Sequence, residues 1–521
     1  MKKFSYIIIF LLAASFSFAQ KKGFGPPTVD DADEHFKHDN YLMAIPIYRS
    51  ELKKDPKNNK IRLKLGICYI RTKISREEPI KYLEQYVKDP KCEEEGWLHL
   101  GKAYHLNNRI NDAITAYEKY KTLKPKKAEE ADRLIEQCKN AEKFINNPVN
   151  VAFQNLGKDV NSDEPDYYPF VSSDENFLVF TSRRKEGIGG KKVEVDGYHP
   201  SDIFISNVEN GKWGKAQNIG RNINGSMDEQ AVGLKSDGLE LYVYEDHIDK
   251  FGDLYISTRK DTKTDFSKPK ICDPLINEKI ETSGCLSEDG MTMFFARRDK
   301  VESTSDIYVC RKLPNNKWAL PQKLPEIINT KYNEDFPYLL NDGVTLYFAS
   351  EGHNSMGGYD LFRTTWNIEN NTFSKPENLG FPVNSTDDDR NICVTPDDRV
   401  AYISAFRNGG QGDLDIYRIK FNDHDQLARL YVGKVFYGDS LSPNQPKNVA
   451  VQIFATNKKT KYEYLYTPHT KTGRFVMNLP VGKYAIRVIA EGYEEYTDDI
   501  SISDIGKTES YNYINYVLRK K

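Results

Sequence analysis

The chain has 521 residues, a length that predicts three or four domains rather than one core. Its 74 basic and 76 acidic residues nearly balance, and no Lys/Arg block stands out, so we expect no nucleic-acid partner. The 33 Tyr and 26 Phe against 7 Met indicate a large β component, and 39% hydrophobic residues exclude a wholly disordered chain.

The N-terminus has the pattern of a secretory signal. Lys2 and Lys3 precede an apolar run at 6–14, and the small residues that signal peptidase requires follow at 17–19. Residues 1–19 are therefore predicted to be a removed signal peptide. No cysteine follows the cleavage point, and no later stretch reaches the roughly 20 apolar residues of a membrane helix. We expect an exported protein without a lipid anchor or a direct membrane span.

Residues 29–146 are charged and helix-favouring, and a pattern recurs in them every 34 or 35 residues. The best copy contains Trp97, Leu100, Gly101, Tyr104, Ala113, Tyr117 and Pro125. Gly101 and Ala113 are small enough for two antiparallel helices to approach closely. The pattern resembles the tetratricopeptide repeat (TPR), which implies an α-solenoid of three repeats with a capping helix at 128–145.

A solenoid of this kind has a concave groove that could bind a partner. The residues predicted to line it are Lys60, Arg71, Lys102 and His105. The alternative interpretation is a solvated helix face without a ligand.

From about residue 150 the chain changes to short alternating strands, and a turn and a downstream motif each recur five times. The turns are Ser173-Asp174-Glu175, Ser236-Asp237-Gly238, Glu288-Asp289-Gly290, Asn341-Asp342-Gly343 and Pro396-Asp397-Asp398. The motifs are Asp202-Ile203-Phe204, Asp253-Leu254-Tyr255, Asp306-Ile307-Tyr308, Asp360-Leu361-Phe362 and Asp415-Ile416-Tyr417. Gly, Asn and Asp tolerate positive φ, so the turns indicate tight hairpins. Only the first copy carries an insertion, at 185–200.

A fourth strand that begins with an aromatic residue is predicted for the first four copies, at Trp213, Phe266, Trp318 and Phe373. The fifth copy lacks one, but 151–153 could supply it and close the ring without open edges. The pattern predicts a five-bladed β-propeller at 150–420, with six blades as the alternative. It resembles the TolB-like, or PD40, class of propeller repeat.

The last segment, 428–521, consists of alternating strands joined by Gly-containing turns. This pattern predicts a small β-sandwich. It is similar to the carboxypeptidase regulatory-like domain, which implies a prealbumin-like sandwich of seven strands. A C-terminal sorting signal of the type IX secretion system is the alternative for this segment. The residues from Phe421 to Ala428 are predicted to be a short linker.

None of the common nucleophile, zinc, P-loop or dinucleotide motifs occurs in the chain. We therefore expect a protein that is not an enzyme and that has no cofactor and no metal. The seven cysteines include no C-x-x-C pair, and their odd number leaves at least one thiol free. A disulfide frame or metal site and a set of small buried residues are the two interpretations of these cysteines.

One set of charged residues keeps a constant register with the turns. An acid lies eight residues before each turn aspartate, at Asp166, Glu229, Glu281, Glu334 and Asp389. These carboxylates are predicted to be the first residues of the innermost strands and to form a ring around one mouth of the propeller's central channel. They could bind a basic peptide, a partner loop or a cation. Alternatively, they accept hydrogen bonds that join one blade to the next, or two of them act as a glycosidase pair.

The order of solenoid, propeller and sandwich resembles periplasmic OmpA-family proteins of the PorE kind in type IX secretion and gliding. The segments 155–157, 166–169 and 181–184 carry this resemblance. Those proteins continue into an OmpA-like domain, whereas this chain stops after 511–518, so direct peptidoglycan binding is not expected.

The resemblance implies a periplasmic, outer-membrane-associated scaffold that binds envelope proteins, among them an outer-membrane barrel of the PorP/SprF kind. A glycan-binding propeller protein, or an accessory to an envelope hydrolase, is the alternative function. A secreted or cell-surface protein is the alternative location.

Overall fold

The computed structural model describes residues 26–521 except 247–251, 316, 408, 423–427, 439–448, 460, 470–471, 481 and 503–511. The predicted signal peptide lies outside the described residues, as does most of the predicted linker before the sandwich.

The N-terminal part is a stack of helices. Seven α-helices lie in the described part of the chain: α1 Val29–Lys37, α2 Tyr41–Lys54, α3 Asn59–Thr72, α4 Glu78–Tyr86, α5 Glu95–Leu106, α6 Ile110–Leu123 and α7 Ala128–Ile145. The side chains of Thr28, Asn40 and Asn58 cap the N-termini of α1, α2 and α3. Each helix contacts the next along the chain, so their apolar faces form a continuous core.

Glycines allow the helices of a pair to touch. A Cβ atom at position 101 would lie 2.4 Å from the ring of Tyr117, and one at position 66 would lie 2.5 Å from Leu83. Tyr117 and Leu83 are both fully buried. Gly101, predicted from the repeat, therefore lies where α5 and α6 approach each other. Gly66 occupies the corresponding place between α3 and α4.

The β-rich part that follows has these strands up to residue 421: β1 Val151–Asn155, β2 Asp166–Val171, β3 Phe177–Ser182, β4 Asp202–Glu209, β5 Lys212–Trp213, β6 Gln217–Asn218, β7 Glu229–Leu234, β8 Glu240–Glu245, β9 Asp253–Thr258, β10 Lys270–Ile271, β11 Ile280–Leu286, β12 Thr292–Arg298, β13 Asp306–Arg311, β14 Gln322–Lys323, β15 Glu334–Leu339, β16 Thr345–Ser350, β17 Asp360–Asn367, β18 Thr372–Phe373, β19 Glu377–Asn378, β20 Ile392–Val394, β21 Val400–Ala405 and β22 Asp415–Phe421. Within the described residues they form five antiparallel sheets of four or five strands.

The sheets are arranged as in a propeller. Their innermost strands are β2, β7, β11, β15 and β20, and each contacts the next, with β20 contacting β2 again. In the last sheet, β1 pairs with β22, so a strand from before the first sheet completes the fifth. The strand order thus includes the pairing predicted for 151–153.

In four of the five turns after the innermost strands, the third residue is a Gly or an Asp, which tolerates positive φ. The third residue of each predicted turn has positive φ: Glu175, Gly238, Gly290, Gly343 and Asp398. The predicted fourth strands differ from the structure. Trp213 and Phe373 lie in two-residue strands, whereas Phe266 and Trp318 lie outside the named strands. Phe266 is nevertheless buried, because its ring packs in the propeller core although it lies outside the strands.

The C-terminal part comprises β23 Ala428–Tyr437, β24 Val451–Asn457, β25 Glu463–Tyr466, β26 Arg474–Pro480, β27 Gly482–Ala490, β28 Tyr496–Ile502 and β29 Asn512–Leu518. They form two sheets, with orders β26-β23-β29 and β25-β24-β27-β28. Side chains from both sheets, such as Met477 and Ile486, share one core. This arrangement is a two-layer β-sandwich.

The helical stack and the sandwich lie against opposite faces of the propeller. Arg133 of α7 donates hydrogen bonds to the loop after β16, and Arg76 pairs with Asp387 in the loop before β20. Both loops lie where innermost strands begin. Asn478 of the sandwich instead donates to the carbonyl of Pro396, which is in a turn where an innermost strand ends.

The helix contact at Gly101 can be tested by substitution. Gly101→Val places a branched side chain against the buried Tyr117 ring, and we expect the free energy of unfolding of the helical stack to fall by about 1–3 kcal/mol. Circular dichroism at the helical signal during thermal unfolding measures the change. Thr115→Val, at an exposed position of α6, is the control. Equal unfolding temperatures for the two variants would contradict the expectation.

Candidate functional site

The five carboxylates predicted to form a ring lie near the starts of the innermost strands, as their spacing predicts, but they are buried. Four lie at or next to the start of an innermost strand and Asp389 lies three residues before one, and all are at most 5% exposed: Asp166, Glu229, Glu281, Glu334 and Asp389. They therefore do not present an open ring of charge to the channel mouth.

Each carboxylate accepts a backbone hydrogen bond from the connection that leads into its strand. A side chain of the same blade is a second partner for Asp166, Glu281, Glu334 and Asp389. Asp166 accepts from Ser162 at 2.5 Å and forms an ion pair with Arg184 at 2.5 Å. Glu334 accepts from the backbone of Thr330 at 2.7 Å. Glu281 pairs with Arg297 at 2.7 Å. These bonds attach each carboxylate to the connection that precedes its own strand.

Burial changes the acidity of these groups. Loss of solvation raises the pKa of Glu229 to about 8, that of Glu334 to about 7 and that of Asp389 to about 6. Burial also raises the pKa of Asp166 and Glu281, although Arg184 and Arg297 oppose the change.

A second set of polar residues holds the blades together, and the sequence analysis missed it. In each blade connection a buried or half-buried Asn binds both the N–H and the carbonyl of one residue in a third strand. The pairs are Asn161 with Ile416, Asn224 with Ile203, Asn277 with Leu254, Asn329 with Ile307 and Asn384 with Leu361, at 2.7–3.1 Å. The signal was an Asn four or five residues before every ring acid.

The predicted groove residues have different environments. Lys60 and Arg71 are exposed, and Lys102 is half-buried. His105 is only 5% exposed and donates a hydrogen bond to the backbone of Met356 in the propeller. His105 therefore lies in the interface between helices and propeller, which corrects its assignment to an open groove.

The propeller loop around Met356 is seated in the helical stack. Met356 is fully buried among core residues of the helices. Arg133 donates to the carbonyls of Glu351 at 2.6 Å and Gly352 at 3.0 Å, and Asn140 donates to that of Ser355 at 3.0 Å. The helices thus hold this segment mainly through its main chain.

A salt bridge cluster adds a second contact between helices and propeller. Asp387 lies 3.0 Å from the ammonium of Lys73 and 2.6 Å from the guanidinium of Arg76. Burial alone would raise the pKa of Asp387, but the two cations hold it well below its ordinary value. Arg76 also lies over the ring of Phe406 at 4.5 Å. These contacts join the helical stack to the fourth and fifth sheets.

A cleft of about 460 Å³ lies on the opposite face, between the propeller and the sandwich. Its propeller wall consists of Leu340, Asn341, Asp342, Val344, Thr345, Arg363, Pro396, Asp397 and Asp398. Its sandwich wall consists of Tyr462, Glu463, Tyr464, Leu465, Tyr466, Asn478 and Pro480. The volume falls within the roughly 300–1,000 Å³ of small-ligand sites.

The sandwich wall of the cleft is aromatic. The Tyr462 and Tyr464 rings lie 4.8 Å apart edge to face, and those of Tyr464 and Tyr466 are stacked at 6.5 Å. Tyr462 is 58% exposed, whereas Tyr466 is buried. Burial raises the pKa of Tyr464 to about 12, so its hydroxyl remains protonated at neutral pH. The wall combines apolar ring faces with hydroxyl donors.

The other candidate features carry less chemistry. All seven cysteines are free, and all but Cys92 are buried. Burial raises the pKa of Cys68, Cys138, Cys272 and Cys285 to about 12, so their thiols are protonated. The described ranges contain no cluster of three or more His, Cys, Asp or Glu suited to a metal ion. No helix in them is long and apolar enough to cross a membrane.

No protein-family model and no curated protein matches the chain. Several solved structures are similar to it at low identity. A TolB from Agrobacterium tumefaciens is 14% identical, with TM-score 0.27, over 53% of this chain and 98% of that one. A sucrose-6-phosphate hydrolase from Lactobacillus gasseri is 11% identical, with TM-score 0.34, over 71% and 91%. An endo-arabinase from Bacteroides thetaiotaomicron is 13% identical, with TM-score 0.34, over 51% and 96%.

The prediction that the chain is not an enzyme is corrected by these comparisons. Hydrolases are among the solved structures to which it is similar. The missing sequence motifs were weak support for that prediction, because a propeller can bring together catalytic groups from separate blades that share no local motif. The prediction is therefore withdrawn.

The raised pKa of Glu229 predicts how stability depends on pH. The folded protein keeps this proton up to about pH 8, whereas the unfolded chain releases it near its ordinary pKa of 4.5. The folded state binds more protons between these values, so stability falls as the pH rises through this window. We expect Glu229→Gln to reduce that fall, as measured by urea unfolding at pH 5 and pH 9.

Glu209→Gln is the matched control, because Glu209 is an exposed residue of the first propeller sheet. It should retain the wild-type pH dependence. A Glu229→Gln variant whose stability falls as steeply as that of the wild type would show that the proton is not held at this residue.

Proposed function

We propose that this chain is a propeller-based glycan-binding protein of the cell envelope and that the cleft between propeller and sandwich is its binding site. The observation that carries the proposal is the tyrosine wall at 462–466 opposite the polar turns of the propeller. The apolar C–H face of a sugar ring can pack on an exposed aromatic ring, and its hydroxyls can hydrogen-bond to neighbouring polar groups.

The propeller wall supplies those polar groups. Asp342 is exposed, and Asp397 is half-buried. Arg363 lies 3.2 Å from Asp398, so the two form an ion pair among the residues that line the cleft. Carboxylates accept hydrogen bonds from sugar hydroxyls, and a guanidinium donates to them. The two walls thus offer stacking and hydrogen bonding to one ligand.

Affinity electrophoresis in gels that contain arabinan, xylan or solubilised peptidoglycan tests the proposal. We expect the full chain to be retarded by at least one polysaccharide, and Tyr462→Ala to weaken that binding about tenfold through the lost stacking. Tyr513→Ala, which removes a tyrosine that is 74% exposed on β29, should bind like the wild type. Equal retardation of both variants, or none with any polysaccharide, would overturn the cleft as the site.

The second candidate function is that of a scaffold in an outer-membrane-associated secretion or gliding complex, in the periplasm. The specific observation in its favour is that helices and sandwich are held on opposite faces of the propeller. Such an arrangement keeps several surfaces at set positions for envelope proteins. The order of modules also favours the scaffold function, because it resembles that of proteins of the PorE kind.

Affinity capture from detergent-solubilised envelopes, followed by mass spectrometry, tests the scaffold. We expect other envelope proteins to be recovered, including an outer-membrane barrel of the PorP/SprF kind. A capture with an Arg133→Gln chain, whose helices have lost hydrogen bonds to the propeller, should recover fewer of them. Recovery of peptidoglycan fragments alone would reject this function and leave the glycan proposal standing.

A further inference from the structure

The cleft between propeller and sandwich has more acidic than basic side chains in its walls. Asp342, Asp397 and Asp398 line it from the propeller, and Glu463 lines it from the sandwich. Of the described residues that line the cleft, only Arg363 is basic. Four carboxylates against one guanidinium leave a surplus of three negative charges. A ligand between the two walls therefore lies close to a net negative charge.

Two of the four carboxylates already have a cation. Arg363 lies 3.2 Å from Asp398, which also accepts a hydrogen bond from Tyr347. Arg487 of β27 lies 3.4 Å from Glu463. The guanidinium of the cleft wall is thus occupied by Asp398, so the cleft has no unpaired cation among the described residues to offer to an acidic ligand.

The other two carboxylates, Asp342 and Asp397, carry a charge that no cation offsets at ion-pair distance in the described parts of the chain. Each belongs to a turn after an innermost strand and accepts a hydrogen bond from a neighbour in that turn. Asp342 accepts from the hydroxyl of Thr345 at 2.6 Å, and Asp397 from that of Thr395 at 2.6 Å. A carboxylate has about four acceptor sites, so both retain sites for a ligand.

The aromatic wall of the cleft also favours a positive charge. The face of a tyrosine ring attracts an ammonium group through its quadrupole, and Tyr462 is 58% exposed. The two walls act on one another electrostatically. Burial is the largest cause of the raised pKa of Tyr464, and the negative charge of Asp342 on the propeller wall adds to it. Carboxylates on one side and ring faces on the other therefore suit the same cationic ligand.

We propose that the cleft selects glycans that carry free amino groups, such as a polymer of glucosamine. An ammonium has three donors and no acceptor, so the amino groups of the glycan pair with Asp342 and Asp397. The C–H face of a sugar ring packs on Tyr462. A uronic acid is disfavoured, because its carboxylate meets like charges and no unpaired guanidinium. This inference rests on the proposed glycan-binding function and names its class of glycan.

Isothermal titration calorimetry of the full chain with three short oligosaccharides tests the inference. The first is a β-1,4-linked glucosamine oligomer, the second is the same oligomer fully N-acetylated, and the third is an oligogalacturonate. The measurement is made at about pH 5.5, where the amines are protonated. We expect the first to bind about tenfold more tightly than the second, and the third more weakly still. This preference should shrink as salt rises.

Substitutions assign the preference to the cleft. Asp342→Asn and Asp397→Asn should each weaken binding of the glucosamine oligomer about threefold and leave the acetylated one unchanged. Tyr462→Ala should weaken both oligomers, because both stack on the ring. Asp289→Asn should bind like the wild type. It is the matched control, because Asp289 has the same place in the turn of the third sheet and accepts from Ser287 in the same way, but does not line the cleft.

Equal affinity for the glucosamine oligomer and its acetylated form would overturn the inference. Wild-type affinity in a variant with both Asp342→Asn and Asp397→Asn would do the same. Displacement of the glucosamine oligomer by an equal concentration of tetralysine would also overturn it, because the cleft would then recognise amines without the sugar.

The polysaccharide gels separate this inference from the glycan-binding function. If the amino groups give no preference but a neutral polysaccharide still retards the chain, and Tyr462→Ala weakens that binding, the inference fails and the function stands. If neither the oligosaccharides nor the polysaccharides bind, both fail.

Discussion

The last propeller sheet can be completed only by a strand that precedes the first one. Without β1, the backbone of β22 would present an unpaired edge, and the register from Val151 to Phe421 removes it. This pairing also places the helical stack, because α7 ends at Ile145, a few residues before β1. The helices must therefore lie close to the fifth sheet, where Asp387 meets Lys73 and Arg76.

The recurring polar residues of the propeller form hydrogen bonds and ion pairs that hold its ring of sheets together. The carboxylate of Asp166 is used by Ser162 and Arg184, and the amide of Asn161 by the backbone of Ile416. Each connection between blades has backbone groups that lie outside the strands and need hydrogen-bond partners. The recurring side chains supply these partners in every blade. The places that differ between blades are the junctions with the helices and with the sandwich. The proposed glycan-binding cleft lies at the junction with the sandwich.

Local spacing predicted much of this architecture. Gly101 and Tyr117 indicated the helix pairs, and the positive φ of Gly238 and Gly343 follows from residue type. The aromatic Phe266 was less informative, because burial and strand pairing both favour an aromatic residue, and only burial applies to it. Nothing in the sequence indicated that Met356 would be buried among the helices, since a lone Met is compatible with any core.

Periodicity along the chain was sufficient for the kinds of module and their order, because side-chain alternation and turn conformation depend on neighbours a few residues away. The direction that Glu334 faces, the burial of His105 and the cleft beside Tyr462 depended on contacts between residues far apart in the chain. Solvation of a charge is a property of everything packed around it. Only the folded arrangement could therefore decide which of these polar groups remain available to a ligand.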